Sequence, residues 1–423
     1  MYNLKTYKNG LRLIHNYDTS SKAVSVNFFV MAGGKDEDDT NRGIAHLAEH
    51  MFFKGTEKRT SKDIIFEMDR LGLQNNAYTS QDLTCFYAEG LNDNVDAIFD
   101  ILADCFFNSN YPLEELANEK KIVCSELEMY LDDNRDLIVQ KGAVLGMQGT
   151  PYAYVLGGTV ESVSKIEQAD LLKYKKAFYT PNRLIISVSG DVSQDKIEAL
   201  VEKYVLPLCG DIEQEPLYFE LPTQEIARDE RYLFTSKDTD QYYCFISFKS
   251  FYKSNKDEYA KYVTMLQALG GTLSSRLYQK VREEKGLVYI IQSVYSQYNM
   301  GNNGILFICN TNNAEETFKA IREVIDDLRN KGFTQDELTI SQNLLKTNYA
   351  LSAITPSSKA QKAAHAIMYN REIYDIEKSL ERVSKVTVDD MNSMFKKYFD
   401  NKDLAVAVVA KEDNIKPLKI LTE

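Results

Sequence analysis

Apolar and polar positions along this chain follow two periods, and the points where one period gives way to the other mark its elements. Residues 5–32 contain β-forming runs, of which Ala23 to Val30 is nearly continuous, and they end at the turn-like Gly33-Gly34 and a charged stretch. A helix is expected from after Asn41 to about Phe53, and Thr60-Ser61 offers a capped start for a second helix that ends before Gly72. Asn76 to Ala88 reads as strand with a polar turn, and helices follow over roughly 93–107 and 112–132. A further helix over about 162–178 must end before Pro181, after which Leu184 to Val188 is a β-like run that stops before Gly190.

The second half repeats this coarse order. A β-rich run at 241–248 precedes helices near 257–269 and 275–284, strands near 287–297 and 303–309, long helices between 314 and 370, another helix and the strand Leu404 to Val409. No short solenoid period is present, so the pattern predicts two α+β units, each of about 200 residues, related by an internal duplication. The polar, proline-bearing stretch around 211–230 is the expected interdomain linker, which places the domains at 1–210 and 231–423.

Composition narrows the class. A chain of 423 residues with 44% hydrophobic residues has enough apolar material for two cores. The net charge of −12 disfavours a broad nucleic-acid surface. The N-terminus lacks the apolar core of a secretion signal and no run approaches a membrane span, so a cytoplasmic location without membrane attachment is expected. The six cysteines are scattered through apolar segments without paired short spacing, as expected of buried thiols.

Only four histidines are present, and two of them lie in His46-Leu47-Ala48-Glu49-His50. On a helix, His46 and His50 share one face, and Glu49 sits beside it, in reach of a metal-bound water. A catalytic zinc needs a third protein ligand and an open position. Either Glu126 or Glu128, on the helix over 112–132, supplies a carboxylate, and Glu119 lies two turns before Glu126 as an acceptor for a ligand histidine N–H. Asp132, Asp133 and Asp136 lack the glycine-centred loop of a calcium site, and Gly270-Gly271 lacks the lysine and hydroxyl of a phosphate loop. His15 and His365 have no local ligand partners and are assigned to packing or surface, and Arg276 to supporting its helix.

The motif His46-x-x-Glu49-His50, the 76-residue gap to Glu126 and the run Glu126-Leu127-Glu128-Met129-Tyr130 resemble the pitrilysin-like M16 zinc metallopeptidases, which include insulin-degrading enzyme and mitochondrial processing peptidase. The resemblance spans essentially the whole chain, whose length is similar to the two-domain bacterial form related to the processing peptidase β subunit. It implies two homologous domains, each a mostly antiparallel sheet covered by helices, and one Zn²⁺ per chain on His46, His50 and Glu126, the family spacing selecting Glu126 over Glu128. It also implies that Glu49 acts as base in an endopeptidase acting on unfolded peptides or flexible termini.

Asn76-Ala77-Tyr78-Thr79-Ser80 resembles the family's peptide-binding edge strand, which makes Asn76 and Ala77 substrate-binding residues. Arg282 and Tyr289, seven residues apart, resemble an Arg/Tyr pair that reaches the zinc site from a facing domain, the arginine toward substrate and the tyrosine toward the oxyanion. In two-domain relatives that facing domain belongs to the partner, so a homodimer with Arg282 and Tyr289 supplied in trans is implied. The alternatives are a noncatalytic peptide-binding or assembly subunit, and a catalytic subunit that needs a different partner chain.

Overall fold

The continuous apolar runs prove to be strands covered on both faces. A computed structural model describes residues 2–210, 212–220, 229–249, 251–295, 299–301 and 303–422. Its first sheet has six strands, β1 (Tyr2–Thr6), β2 (Arg12–Tyr17), β3 (Ala23–Val30), β4 (Gln74–Thr79), β5 (Thr84–Leu91) and β6 (Leu184–Gly190), in the order β1-β2-β6-β3-β5-β4. Beyond them come β7 (Tyr232–Ser236), β8 (Gln241–Ser247), β9 (Phe251–Tyr252), β10 (Val288–Tyr295), β11 (Met300–Gly301), β12 (Asn303–Asn310) and β13 (Ala405–Ala410). The second sheet runs β10-β12-β8-β13-β7, with β9 and β11 as a separate short ladder.

Both sheets repeat one plan. Outside a single parallel pair, β2 with β6 in the first and β7 with β13 in the second, every neighbour is antiparallel. Superposing the orders matches β2-β6-β3-β5-β4 to β7-β13-β8-β12-β10, the duplication expected from the sequence.

The helices are α1 (Ile44–His50), α2 (Ser61–Arg70), α3 (Val95–Asn108), α4 (Leu113–Asp132), α5 (Asn134–Gly146), α6 (Val160–Lys165), α7 (Gln168–Phe178), α8 (Gln194–Tyr204), α9 (Leu206–Cys209), α10 (Lys256–Leu266), α11 (Ala314–Lys331), α12 (Gln335–Leu351), α13 (Pro356–Asn370), α14 (Ile376–Ser384), α15 (Val388–Tyr398) and α16 (Pro417–Thr422). The expected helix over 162–178 is divided in two, because Ile166 and Glu167 are extended and Glu167 starts a new helix. The expected helix over 257–269 ends in a wide turn over Gln267–Gly271, where a Cβ on Gly270 would come within 2.5 Å of the Ser293 nitrogen. Helices α5 and α8 were not among the expected elements, although α8 carries a signal in the cap Ser193 and the spacing of Ile197, Leu200 and Val201; Asp133, one of the acidic cluster, accepts the N–H groups of Arg135 and Asp136 and starts α5.

Two compact units result, and neither is contiguous in sequence. One comprises Met1–Glu128, Tyr154–Glu220 and Leu351–Tyr374, the other Met129–Ala153, Leu221–Ala350 and Asp375–Glu423. Helices α5 and α13 hold equivalent places in the two halves, yet each packs on the sheet built mainly by the other half. Leu137, Ile138 and Leu145 of α5 join Phe245, Ala405, Ala407 and Val409, while Ala363, Ala364, Ile367 and Met368 of α13 join Ile14, Phe29 and Ile185. Ser247 Oγ donates to the Gly142 carbonyl at 3.2 Å and Ser187 Oγ to the Ala360 carbonyl at 2.7 Å. Covering the second face in this way leaves no alternation of buried and exposed positions in β3, β6 or β13, so that Ser25 and Asn27 of β3 and Ser187 and Ser189 of β6 are buried as well.

The expected linker over 211–230 lies partly outside the described residues; within it, the N–H groups of Leu217 and Phe219 bond the Asn182 and Met368 carbonyls at 2.9 and 3.3 Å. No helix among the described residues is long and apolar enough to cross a membrane.

The exchanged helix α5 approaches its sheet so closely that a Cβ on Gly142 would sit 2.4 Å from Phe245 Cγ. Gly142→Val should therefore lower stability by about 1–3 kcal/mol through overpacking. Val139→Ala, on the same helix but 40% exposed, should change it by less than about 0.5 kcal/mol, with urea or thermal unfolding as the measurement.

Candidate metal centre

Helix α1 is seven residues long and divides its faces cleanly. Ile44, Ala45, Leu47 and Ala48 are buried in the main core of the first unit, and Phe52, just beyond the helix, stacks on Phe86 of β5 with ring centroids 3.6 Å apart. That leaves His46, Glu49 and His50 on the open face, with the two imidazole centroids 4.7 Å apart.

Helix α4 brings the third group. Its buried stripe is Leu116, Glu119, Val123 and Leu127, and Glu126 projects beside it toward α1. Nε2 of His50 lies 3.4 Å and Nε2 of His46 3.9 Å from Glu126 Oε2, and ligand atoms of all three residues fall within 4.8 Å of one another. Ligands at about 2.0–2.1 Å from a tetrahedral ion stand about 3.4 Å apart, so two imidazoles and one carboxylate in this arrangement fit zinc with a coordination position left open.

Glu119 occupies a core position of the stripe with only 4% exposure, where a carboxylate needs partners. It has two: its Oε2 lies 3.1 Å from His50 Nδ1 and its Oε1 2.6 Å from Lys54 Nζ. The contact assigns His50 Nδ1 as donor and leaves Nε2 for the metal. His46 Nδ1 is buried against Gly157, where a Cβ would come within 3.2 Å, and has no hydrogen-bond partner among the described residues. Burial, then the neighbouring His50, lowers the pKa of His46 against the opposing pull of Glu126, favouring the neutral imidazole that binds metal.

Glu49 lies with Oε2 4.0 Å from His46 Nε2. Thr79 Oγ1 of β4 donates to that same oxygen at 2.9 Å. Burial raises the Glu49 pKa, with the Thr79 hydrogen bond pulling the other way. Strand β4 is the edge of its sheet. The Ser80 N–H donates to the Leu83 carbonyl, which sets the ladder phase so that the backbone groups of Asn75, Ala77 and Thr79 face away from β5. Asn76 Oδ1 accepts the outward Ala77 N–H at 2.8 Å, and Ala77 packs against the core that contains α1.

Arg282 and Tyr289 lie in the second unit. Tyr289, on β10, is 60% exposed; Arg282 is exposed with its guanidinium carbon 5.0 Å from the Tyr278 ring centroid. Arg276 is bound to Glu337, Asp327 and the Gly332 carbonyl. His15 is a buried strand residue bonded to Gln194, and His365 packs edge-on to Phe29. The sequence reading did not single out Lys54, Thr79 or Gly157. Thr79 carried a usable signal, because strand alternation puts its side chain on the same face as Ala77; Lys54 and Gly157 carried none.

A His/His/Glu cluster on two helices, under the edge of a duplicated α+β sheet, defines a metallopeptidase class of site. Comparison with known proteins agrees: the Insulinase (Peptidase family M16) model matches residues 12–159 and the Peptidase M16 inactive domain model residues 165–345. The chain belongs to the M16 peptidase family. It is 29% identical over 413 residues to a Bacillus subtilis protein described as an uncharacterized zinc protease, covering 97% of this chain and 98% of that one. It is 25% identical over 422 residues to subunit 1 of the mitochondrial cytochrome b-c1 complex of Caenorhabditis elegans, covering 96% and 88%. The fold is shared with a protease from Helicobacter pylori, with a TM-score of 0.86 at 20% identity over 97% of this chain and 99% of the other.

The Lys54–Glu119–His50 chain, with Glu119 buried at its centre, makes a direct prediction. Glu119→Gln should weaken zinc affinity by about 10–100-fold in chelator competition, with Lys54→Met shifting it the same way by less. Unchanged affinity in Glu119→Gln would remove Glu119 as the group that orients His50.

Proposed function

We propose that this protein is a zinc endopeptidase that cleaves unfolded peptides or flexible protein termini. The observation that carries the reading is the convergence of His46, His50 and Glu126 with Glu49 alongside. Zinc held there supplies a Lewis acid that lowers the pKa of water and polarises the scissile carbonyl. Glu49 takes the water proton and returns it to the leaving amine, and Thr79 keeps its carboxylate turned toward His46. No acyl-enzyme forms, because the attacking oxygen comes from water.

The outward backbone groups of Asn75, Ala77 and Thr79 suit an extended peptide added as a further strand, with Asn76 and Ala77 aligning the bond to be cut. Substrate must displace the Asn76 side chain from the Ala77 N–H, which favours segments free to adopt β geometry. Arg282 holds the substrate backbone or a terminal carboxylate, and Tyr289 donates to the developing oxyanion. In this reading the pair comes from the second protomer of a homodimer, supported by the spacing of the pair and the exposure of both side chains. A cytoplasmic location is supported by six unpaired cysteines, which a reducing compartment keeps as thiols.

Similarity to a respiratory-complex subunit favours one second reading, a noncatalytic assembly role. The two separate in a single experiment: metal content per chain, together with cleavage of an unstructured peptide library before and after chelation and zinc restoration. One zinc per chain with chelator-sensitive cleavage is expected; bound zinc without cleavage would favour the assembly role or a missing partner chain.

Two variants test the division of labour. Glu49→Gln should keep zinc and lose about 10²–10⁴-fold in kcat, and unchanged turnover would remove Glu49 as the base. Mixing inactive Glu49→Gln with inactive Tyr289→Phe should restore activity if the sites are completed in trans. Lack of recovery under verified subunit exchange would count against that assembly.

A further inference from the structure

Helix α1 carries both histidine ligands and the base, yet it begins without a side-chain cap. Its N-cap is Gly43, at φ +93°, and a Cβ there would come within 2.4 Å of the Gly157 carbonyl oxygen. Both constraints exclude serine, threonine, aspartate or asparagine, the residues that ordinarily satisfy the first N–H groups of a helix. The cap must come from elsewhere in the chain.

It comes from Glu37, which follows the short turn Gly34–Asp36. Glu37 Oε2 accepts the Gly43 N–H and Oε1 the Ala45 N–H, both at 2.9 Å, so the two oxygens bridge the first turn. The residue is only 8% exposed, and its carboxylate lies at the positive end of the helix. Burial raises its pKa to about 7 against the two backbone donors and Arg42, which lower it, while Asp36 adds to the rise. Arg42 holds the same loop from outside, its Nη1 donating to the Glu37 carbonyl at 3.2 Å and its guanidinium lying over the Tyr154 ring.

We infer that Glu37 is a positioning residue for the metal centre: by capping α1 from six residues upstream, it sets the axial and rotational placement of His46, Glu49 and His50. A seven-residue helix has too few internal hydrogen bonds to hold that placement alone, and a shift of its first turn is passed to both imidazoles together. The inference rests on the zinc peptidase reading for its catalytic consequence, but its metal-binding consequence stands apart from turnover.

Glu37→Gln preserves size but offers only one acceptor oxygen to two N–H groups. Expected are amide hydrogen exchange at Gly43 and Ala45 faster by about tenfold or more, zinc affinity weaker by about tenfold or more in chelator competition, and a changed visible spectrum of the cobalt-substituted protein. Peptide cleavage should lose kcat while KM stays within about twofold, as for a defect in the reacting geometry. Ile64→Val, in the same core, provides the control for lost stability alone and should leave zinc affinity and the cobalt spectrum unchanged. Wild-type zinc affinity and cobalt spectrum in Glu37→Gln would overturn the inference, as would losses no greater than those of Ile64→Val. If the wild-type chain binds zinc without cleaving peptide, the peptidase reading fails and the affinity and spectral comparison still decides the role of Glu37.

Discussion

The packing of one short helix against one sheet is the constraint on which the rest of this molecule depends. Ile44, Ala45, Leu47 and Ala48 give α1 a single apolar face, and the Phe52–Phe86 stack secures its exit. A helix of this length is not stable alone. Its burial against the first core makes two imidazoles four residues apart into a preformed bidentate group, and α4, packed on the same core through Leu116, Val123 and Leu127, delivers Glu126 to complete it.

Three buried or half-buried carboxylates near α1 illustrate how such a site tolerates charge. Glu37 is satisfied by two backbone N–H groups, Glu119 by Lys54 and His50, and Glu49 by Thr79. Each pairing offsets the desolvation of a charged group. Each also ties a different residue or turn of α1 to its surroundings: Glu37 its start, Glu49 its penultimate residue to β4, and Glu119 its last residue to α4. The electrostatic solution and the mechanical one are the same set of bonds.

The sheets show a comparable economy. Each is covered on one face by helices of its own half and on the other by the equivalent helix of the opposite half, α5 or α13. Gly142 on α5 and the alanines of α13 permit the close approach. Because the central strands are buried on both sides, mutations anywhere along β3, β6 or β13 meet packed neighbours, whereas β4 at the sheet edge turns the backbone groups of Asn75, Ala77 and Thr79 away from the ladder.

By itself, the amino-acid sequence determined what depends on near neighbours along the chain. The i, i+4 spacing of His46 and His50, the position of Glu49 between them and the periodicity of the strands and most helices are local properties, legible from 3.6- and 2-residue repeats. The long-range choice of Glu126 over Glu128 needed the family spacing, since both lie on one helix and composition cannot rank them. Helix α5 escaped notice because its apolar residues are not gathered on one face and its partner sheet lies some hundred residues and more away in sequence. Lys54 and Glu37 were silent for the same reason: a lysine and a glutamate in polar stretches acquire a role only when another element places a buried acid or an uncapped helix turn beside them. Local chemistry was written in the order of residues, while the pairing of groups that share no sequence neighbourhood was decided by which apolar faces packed together.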